Sequence, residues 1–279
     1  NSDSFSNLGV IYRETGNLID AESALRKAIE LKPNSEILYS NLGIILIESQ
    51  KFLEAEKTIS KAISINPNSA ELYSLKGYLY EILNRTQESF DFYCKAIELD
   101  QKNSYYSGLL SQFFRSFEPS EVNNIQLKDT IRILLNRNDL DHRDLNRPIN
   151  FLYKNELKKF LDISESKLLK NKAFKNFLKD DIFILALKTF NFGGINQEYF
   201  LTKIRKLFCK KIAVNKEPIN INEFHFIISL GIQCFLNEYV FTKTKEEDSL
   251  LKDIMKRLKE EKLNEYELAI ISCYIPLYQ

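Results

Sequence analysis

Two histidines are the residues in this sequence best suited to acid–base chemistry, because imidazole titrates near neutral pH. His142 lies in the segment Asp139-Leu140-Asp141-His142-Arg143-Asp144, which could form an acid–base cluster. The same segment also has the composition of a polar helix N-terminus, with Asp141 or a neighbour as the N-cap. His225 lies between two phenylalanines in an apolar run, which favours a hydrogen-bonded, half-buried side chain over a ligand. We therefore predict no catalytic residue in this chain.

Cofactor binding through a glycine-rich loop is not expected either. The chain has 8 glycines, and its only glycine pair is Gly193-Gly194. No GxGxxG, GxxxxGK[ST] or GxSxG motif occurs anywhere in the sequence. We predict no cofactor.

The cysteines give no sign of a metal site or a disulfide framework. All four are far apart, and they form no CxxC or Cys/His ligand pattern: Cys94, Cys209, Cys234 and Cys273. Closed zinc sites need four ligands at short paired spacings, so we predict no metal. Reduced and mostly buried thiols are typical of cytoplasmic proteins, and the cytoplasm is the location we predict.

Two lysine-rich stretches, Lys154–Lys179 and Lys203–Lys216, contain interleaved aromatic residues and could contact nucleic acid. Their phenylalanines, however, recur at the spacing of a helix core beside several leucines. Solvated faces of amphipathic helices explain the lysines adequately. We predict no nucleic-acid partner.

Composition excludes several other classes. The chain has 279 residues, 44% of them hydrophobic and 28% charged, which is normal for a soluble globular protein and too apolar for a disordered one. Its net charge of +1 is too small for bulk electrostatic binding to nucleic acid or membrane. The most apolar run, Phe224 to Leu236, is too short to span a bilayer and includes polar residues, so we predict no membrane association.

A pattern returns three times at a spacing of 34 residues over positions 2–103, and it organises the first third of the chain. Counted from Ser2, Glu36 and Ala70, place 4 is aromatic, place 8 is glycine, and places 20 and 27 are alanine or serine. A period of 34 predicts one helix–turn–helix unit per repeat. The predicted units are 2–35, 36–69 and 70–103.

Each unit has a small residue where its two helices approach each other and helix-ending residues at its turns. Glycine at place 8 costs about 1 kcal/mol in a helix relative to alanine, and we attribute it to close approach of the second helix. The turns are predicted at Gly16-Asn17, Gln50-Lys51 and Asn84-Arg85, where a left-handed residue often ends a helix. Pro33 and Pro67 end the second helices, whereas Gln101 replaces proline in the third unit and predicts a helix that runs on.

These residues resemble the tetratricopeptide repeat family over positions 2–103, with departures in the third unit at Lys76, Ser89 and Gln101. The resemblance implies an α-α superhelix of right-handed sense. Its first helices would line a concave groove that holds peptide segments of partner proteins. The fold predicted for the whole chain is all-α: three such repeats followed by an all-helical domain.

In each first helix, the helical wheel puts places 2, 5, 6, 9, 12 and 13 of the repeat nearer the groove. From these we predict a partner-binding surface made of Asn7, Val10, Arg13, Ser40, Asn41, Ile44, Ser74 and Tyr78. The Asn-Leu-Gly triplets also resemble O-linked N-acetylglucosamine transferases, in which such asparagines bind peptide. The alternative is that Asn7 and Asn41 are solvated surface residues. A clamp for two carboxylates is not expected, because it would need several cations and only Arg13 is available.

The region 104–279 is predicted to be a helical connector domain. Periodicity indicates a helix stacked on the third unit and then eight helices at about 121–136, 141–160, 164–175, 179–190, 196–214, 222–241, 244–262 and 264–275. Asn196, Thr244 and Asn264 are each followed by acidic or amide residues that predict N-caps.

Three segments of this region resemble bacterial proteins that join tetratricopeptide repeats, a helical connector and an S-adenosylmethionine-dependent methyltransferase domain. The segments are Asp180–Thr189, Glu198–Arg205 and Ile232–Phe241. No catalytic or cofactor residue can be assigned, because the glycine-rich loop of the methyltransferase is missing here. Gln233, Asn237, Glu238 and Tyr239 form a polar cluster, either a satisfied network between helices or a docking surface.

The function predicted from the sequence is recruitment of a protein or peptide for an enzyme domain outside this chain, a methyltransferase by resemblance. The missing initiator methionine and the three repeats without a capping helix lead us to expect further repeats upstream, and the resemblance implies a catalytic domain downstream. Three alternatives stay open. Residues 104–279 could hold an active site of their own. Alternatively, the chain could be the repeat part of a protein similar to the O-linked N-acetylglucosamine transferases, or a scaffold that oligomerises through the groove. The sequence does not specify the oligomeric state.

Overall fold

The computed structural model describes residues 1–215, 218–239, 241–259 and 263–276, and the regular structure in them is helical. Contacts divide the chain into two units, Asn1–Asn123 and Asn124–Gln279. The first unit therefore includes twenty residues beyond the predicted repeats, and these residues contain the helix expected to stack on the third repeat.

Six helices of the first unit pair into three hairpins, and a seventh follows them. They are α1 (Ser2–Glu14), α2 (Leu18–Leu31), α3 (Glu36–Glu48), α4 (Phe52–Ile65), α5 (Ala70–Ile82), α6 (Thr86–Leu99) and α7 (Ser104–Ser116). The first helices begin at Ser2, Glu36 and Ala70, as the 34-residue period predicts. A short 3-10 helix, Pro119–Glu121, follows α7.

The predicted turns are confirmed at the level of the backbone. Gly16, Gln50 and Asn84 have φ angles of 78°, 58° and 54°, so each occupies the left-handed region that ends a first helix. Gln50 shows that the hairpin enforces this conformation even on a residue that tolerates it poorly. The turn is therefore fixed by the packing of the two helices as well as by local preference.

The recurring glycine makes room for one bulky side chain of the second helix. A Cβ atom on Gly9, Gly43 or Gly77 would lie 2.8, 2.7 or 3.0 Å from the side chain at place 24, which is Leu25, Ile59 or Tyr93. All three of these side chains are buried. The close approach that we predicted is thus confirmed, but the partner is the large apolar side chain at place 24 more than the small residues at places 20 and 27.

The prediction that the second helix of the third repeat runs on past Gln101 is wrong. Helix α6 ends at Leu99, and Asp100 adopts φ −139° and ψ 75°, close to the φ −142° and ψ 77° of Lys32 at the end of α2. Asn103 then caps α7, its Oδ1 accepting a hydrogen bond from the backbone N–H of Tyr105 at 3.1 Å. The helix stops without a proline because the next helix begins in the same register and needs the same turn.

The nine helices found among the described residues of the second unit are α8 (Asn124–Leu135), α9 (Asn146–Asp162), α10 (Glu165–Leu168), α11 (Lys172–Phe177), α12 (Asp181–Thr189), α13 (Ile195–Lys210), α14 (Ile221–Leu236), α15 (Lys245–Lys259) and α16 (Glu265–Ile271). The helix predicted at 164–175 is two short helices. A 3-10 helix, His142–Leu145, precedes α9, and a π-helical segment, Lys211–Asn215, continues α13.

The predicted caps have different outcomes. Thr244 and Asn264 each cap a helix, and the carboxylate of the glutamate three residues later accepts a hydrogen bond from the backbone N–H of the cap residue, which confirms both capping boxes. The N-cap of α13 is Gly194 instead of the predicted Asn196, and Gln197 Oε1 accepts a hydrogen bond from its N–H at 3.2 Å. Only Gly194 has a glutamine at the capping-box spacing of three residues, whereas the residue three after Asn196 is Tyr199.

An aromatic core holds the second unit together. Tyr153, Phe177, Phe183 and Phe200 are buried and their rings contact one another, for example with 5.1 Å between the centroids of Tyr153 and Phe183. The hydroxyl of Tyr153 donates to Asp180 Oδ1 at 2.5 Å, and the same carboxylate caps α12. The phenylalanines of the lysine-rich stretches are therefore core residues, as their spacing predicts.

Candidate peptide-binding surface

The first helices lie on the inner side of the stack in the first unit. Consecutive first helices contact one another along the series α1, α3, α5 and α7, whereas the second helices of adjacent repeats make fewer contacts. A stack that is closer on one side curves toward that side. The surface formed by the first helices, here called the inner face, is therefore the concave one.

Asn7 and Asn41 occupy the same place, one repeat apart, on this face. Asn7 is exposed and Asn41 is half-buried. Within the described residues, neither side-chain amide has a hydrogen-bond partner. An asparagine amide offers two donors and an acceptor, so both can bond the backbone of an extended segment.

Place 9 contributes apolar surface beside the asparagines. Val10 and Ile44 are half-buried, and Tyr78 is 50% exposed. The apolar surface is extended by Ile82, which is 37% exposed one turn further along α5. Together with the asparagines, these four residues give the inner face a mixed apolar and polar character.

Two predicted groove residues are not available to a partner. Ser40 and Ser74 at place 5 are only 5% and 6% exposed. Ser74 Oγ donates to the carbonyl of Glu71 at 2.8 Å, whereas Ser40 Oγ has no partner among the described residues. Helices α3 and α5 are each flanked by two other first helices. These neighbours bury place 5, which the helical wheel of a single helix predicts to be exposed.

Arg13 lies on the inner face, but its charge is already engaged. Its guanidinium reaches across to the next repeat and binds Glu48 through two nitrogens, with Nη2–Oε1 at 2.6 Å and Nε–Oε2 at 3.0 Å. The hydrogen bond to Glu48 raises the pKa of Arg13. This pairing gives a structural reason, beyond the count of cations, not to expect a carboxylate clamp.

Glu81 at place 12 is the best-oriented charge on the inner face. Its Oε2 accepts a hydrogen bond from the Tyr93 hydroxyl at 2.7 Å. Burial, together with this hydrogen bond, raises the pKa of Tyr93, so the phenol remains protonated and holds the carboxylate in place. No repeated pattern indicated this contact, because Tyr93 takes the place of the leucine or isoleucine found in the other repeats.

The histidines of the second unit do not form an acid–base pair. His142 lines an open cavity of about 540 Å³ with Asp141 and Arg143, but its Nε2 lies 3.0 Å from the carbonyl of Leu134. Asp141 caps the 3-10 helix, as one of the two interpretations predicted, and binds the guanidinium of Arg143. His225 is exposed, in contrast to the half-buried position expected from its apolar neighbours.

The polar cluster of α14 divides into two roles. Gln233 is fully buried, and in the orientation that satisfies its amide it donates to the carbonyls of Leu187 and Phe190, each at 3.0 Å. Asn237 ends α14, and Glu238 and Tyr239 follow with positive φ angles of 50° and 58°. Gln233 thus belongs to a network between helices, whereas the other three residues form the end of a helix.

The cysteines are all free and buried, as predicted. Within the part of the chain that the structure describes, no group of three or more His, Cys, Asp or Glu side chains is arranged to hold a metal ion. Several lysines of the basic stretches have structural partners. Lys203 Nζ bonds three carbonyls near the end of α9, and Lys211 forms a buried ion pair with Glu223 at 2.9 Å.

Two family models match the repeat region. One tetratricopeptide repeat model matches residues 12–79 and another matches residues 70–103. This segment therefore consists of tetratricopeptide repeats, and the all-α superhelix predicted for it is confirmed.

Several solved structures are similar to this chain. The first tetratricopeptide domain of Spaghetti (RPAP3), bound to the HSP90 peptide SRMEEVD, is 21% identical and has a TM-score of 0.38, with 41% of this chain and 91% of that chain covered. A tetratricopeptide repeat protein from Parabacteroides merdae ATCC 43184 is 15% identical over 98% of this chain and 97% of that chain, with a TM-score of 0.46. PilF of Pseudomonas aeruginosa is 16% identical over 90% and 97%, with a TM-score of 0.40.

No curated protein matches the chain. Among the described residues, no helix combines the length and the apolar character needed to cross a membrane.

Proposed function

We propose that this chain recognises a partner protein by binding an extended segment of it along the inner face of the tetratricopeptide repeats. The observation that carries the proposal is the half-buried Asn41, whose amide has no partner among the described residues, with Asn7 in the equivalent place one repeat earlier. A partly desolvated amide without a hydrogen bond is unfavourable, and a bound peptide backbone satisfies it. Val10, Ile44 and Tyr78 supply apolar contacts beside it.

The experiment selects peptides from a random-sequence display library on the full chain and measures their affinity by fluorescence anisotropy. The double variant Asn7→Ala/Asn41→Ala should weaken the selected peptides by about tenfold or more, because each lost hydrogen bond contributes about 1 kcal/mol. Asn155→Ala, which removes an exposed helical asparagine from the second unit, is the matched control and should change nothing. Unchanged affinity in the double variant would refute groove binding through these asparagines.

We further propose that the recruited partner serves a methyltransferase domain. This part rests on the resemblance of Asp180–Thr189, Glu198–Arg205 and Ile232–Phe241 to connectors of such enzymes. The genomic reading frame after Gln279 tests it directly. A glycine-rich strand–loop–helix motif there would support the proposal, and a different domain would overturn it.

We propose no catalytic role for the chain itself. The support comes from the engaged groups around His142, whose Nε2 is held by a carbonyl while Asp141 is bound to Arg143. The bond at Nε2 leaves Nδ1 as the ring nitrogen that could accept a proton, and the carboxylate of the adjacent residue, Asp141, is paired with Arg143. The cytoplasmic location and the absence of a nucleic-acid or membrane partner stay predictions from the sequence.

A further inference from the structure

The first helices of the three repeats carry an excess of negative charge. Their charged residues are Asp3, Glu14, Glu36, Glu48, Glu71 and Glu81 against Arg13 and Lys76. Lys76 does not face the inner side, because its Nζ donates to Ser60 Oγ at 3.0 Å and lies 4.8 Å from the centroid of the Phe92 ring, both on second helices. Arg13 is neutralised by Glu48. Four carboxylates remain at inner places, those of Asp3, Glu14, Glu71 and Glu81, against one cation on α7, Arg115, so the inner face has an acidic character.

Aromatic side chains border the acidic residues at one end of this face. Tyr78 on α5 is 50% exposed, and Tyr105 at the start of α7 is 62% exposed. Tyr78 lies one turn before Glu81 on the same helix, so the two side chains are neighbours, and α5 contacts α7. Exposed tyrosines on a concave surface are typical of a binding site, because their rings supply contact area at a small cost in conformational entropy.

Glu81 lies within the same area and has a free oxygen. Its Oε2 is fixed by the Tyr93 hydroxyl, whereas Oε1 has no hydrogen-bond partner in the described part of the chain. A carboxylate held beside tyrosine rings suits a guanidinium or an ammonium group, which can bond the oxygen and lie over an aromatic face. Acidic peptides would meet like charges here and bind poorly.

We propose that the partner segment is a basic peptide, in which a lysine or arginine side chain binds Glu81 beside Tyr78 and apolar residues contact Ile44 and Val10. This inference rests on the proposed peptide-binding function and specifies the chemistry of the partner. Asn41 and Asn7 hold the peptide backbone, while Glu81 and the tyrosines select its charge. The basic side chain fixes the position of the peptide relative to the third repeat.

The test uses the peptides selected from the random library on the full chain. We expect lysine and arginine to be enriched among them, and Glu81→Gln to weaken binding by about tenfold, the size of one lost charge-assisted contact. Higher salt should weaken the wild type more than Glu81→Gln, because screening acts on the charge that the variant lacks. Glu30→Gln, an exposed position on the second helix α2, is the matched control and should bind as the wild type does.

The outcomes separate this inference from the function on which it rests. Selected peptides whose binding depends on Asn7 and Asn41 would leave groove binding intact. If those peptides were neutral or acidic, or if they bound Glu81→Gln as tightly as the wild type, the basic-peptide inference would be overturned. Selected peptides that are indifferent to the Asn7→Ala/Asn41→Ala variant would overturn both. Circular dichroism of each variant should match the wild type, since all the substituted side chains lie at the surface or are half-buried.

Discussion

Gly43→Ala should destabilise the second repeat even though alanine is the better helix former. The added Cβ would lie 2.7 Å from Cγ1 and 3.4 Å from Cδ1 of Ile59, whose side chain is fully buried in the repeat core. Such overpacking costs about 1–3 kcal/mol. The gain in helix propensity offsets about 1 kcal/mol of this. We therefore expect a net loss of up to about 2 kcal/mol.

Gly108→Ala is the matched control for this change. Gly108 also lies inside a first helix, α7, but a Cβ there would meet no heavy atom within 4 Å. Only the propensity term remains, so Gly108→Ala should stabilise its helix by about 1 kcal/mol. The effects of the two substitutions on local stability should therefore differ by about 1–3 kcal/mol, with Gly108→Ala the more favourable.

Hydrogen exchange followed by mass spectrometry measures the local free energy of opening in peptides from α3, α4 and α7, which avoids treating the two units as one transition. Ile59→Ala provides a further check, because it removes the clashing atoms. In the double variant the loss from Gly43→Ala should largely disappear, which would give a coupling energy of about 1–2 kcal/mol. If Gly43→Ala stabilised α3 as Gly108→Ala stabilises α7, the packing explanation of the repeated glycine would be wrong.

Two predictions concern the second unit. The carboxylate of Glu247 is buried, which raises its pKa, but hydrogen bonds from Thr244 and Tyr274 and the charge of Arg205 outweigh burial and lower the pKa below 4.5. The stabilisation that its charge provides should be complete above pH 4.5 and be lost as the pH falls through the lower folded-state pKa. The free energies of unfolding of the wild type and Glu247→Gln, measured by urea titration, should therefore differ by about 3–5 kcal/mol near neutral pH and converge in acid. Lys203→Met keeps the aliphatic stem but removes the ammonium that bonds the carbonyls of Phe160, Leu161 and Ile163, and faster exchange at the end of α9 should report a loss of about 1–2 kcal/mol. Unchanged exchange there would show that water replaces the lysine.

Local periodicity was sufficient to predict the hairpins, because each repeat contains its own helix boundaries. Gly16 and Asn84 are natural residues for the left-handed turn, and even Gln50 could be assigned from its position in the period. The end of α6 could not be predicted in the same way. Gln101 lacks the restriction of proline, and the stop depends on α7, which lies outside the repeat as it was defined from sequence.

The inner face was only partly predictable. Asn7, Asn41 and Tyr78 are at least partly exposed, and the helical wheel of a single helix is sufficient to predict this. Ser40 and Ser74 are buried by neighbouring first helices, and this depends on the spacing between repeats, which the sequence does not encode locally. The Arg13–Glu48 and Glu81–Tyr93 contacts depend on the rotamers of side chains from different helices, so their sequence positions gave no signal.

Two aromatic residues that replace non-aromatic residues of the other repeats, Phe90 and Tyr93, pack against α7, the helix that begins 34 residues after Ala70. Phe90 and Tyr93 on α6 contact Phe113 of α7, with 6.4 and 5.7 Å between ring centroids, and Phe114 lies 6.1 Å from Phe90. These rings bury the end of the stack, which an isolated repeat would expose to water. Tyr93 is larger than the leucine or isoleucine at this place, and its hydroxyl reaches Glu81 on the inner face. One substitution therefore both closes the hydrophobic core and fixes the carboxylate that we propose selects a basic partner.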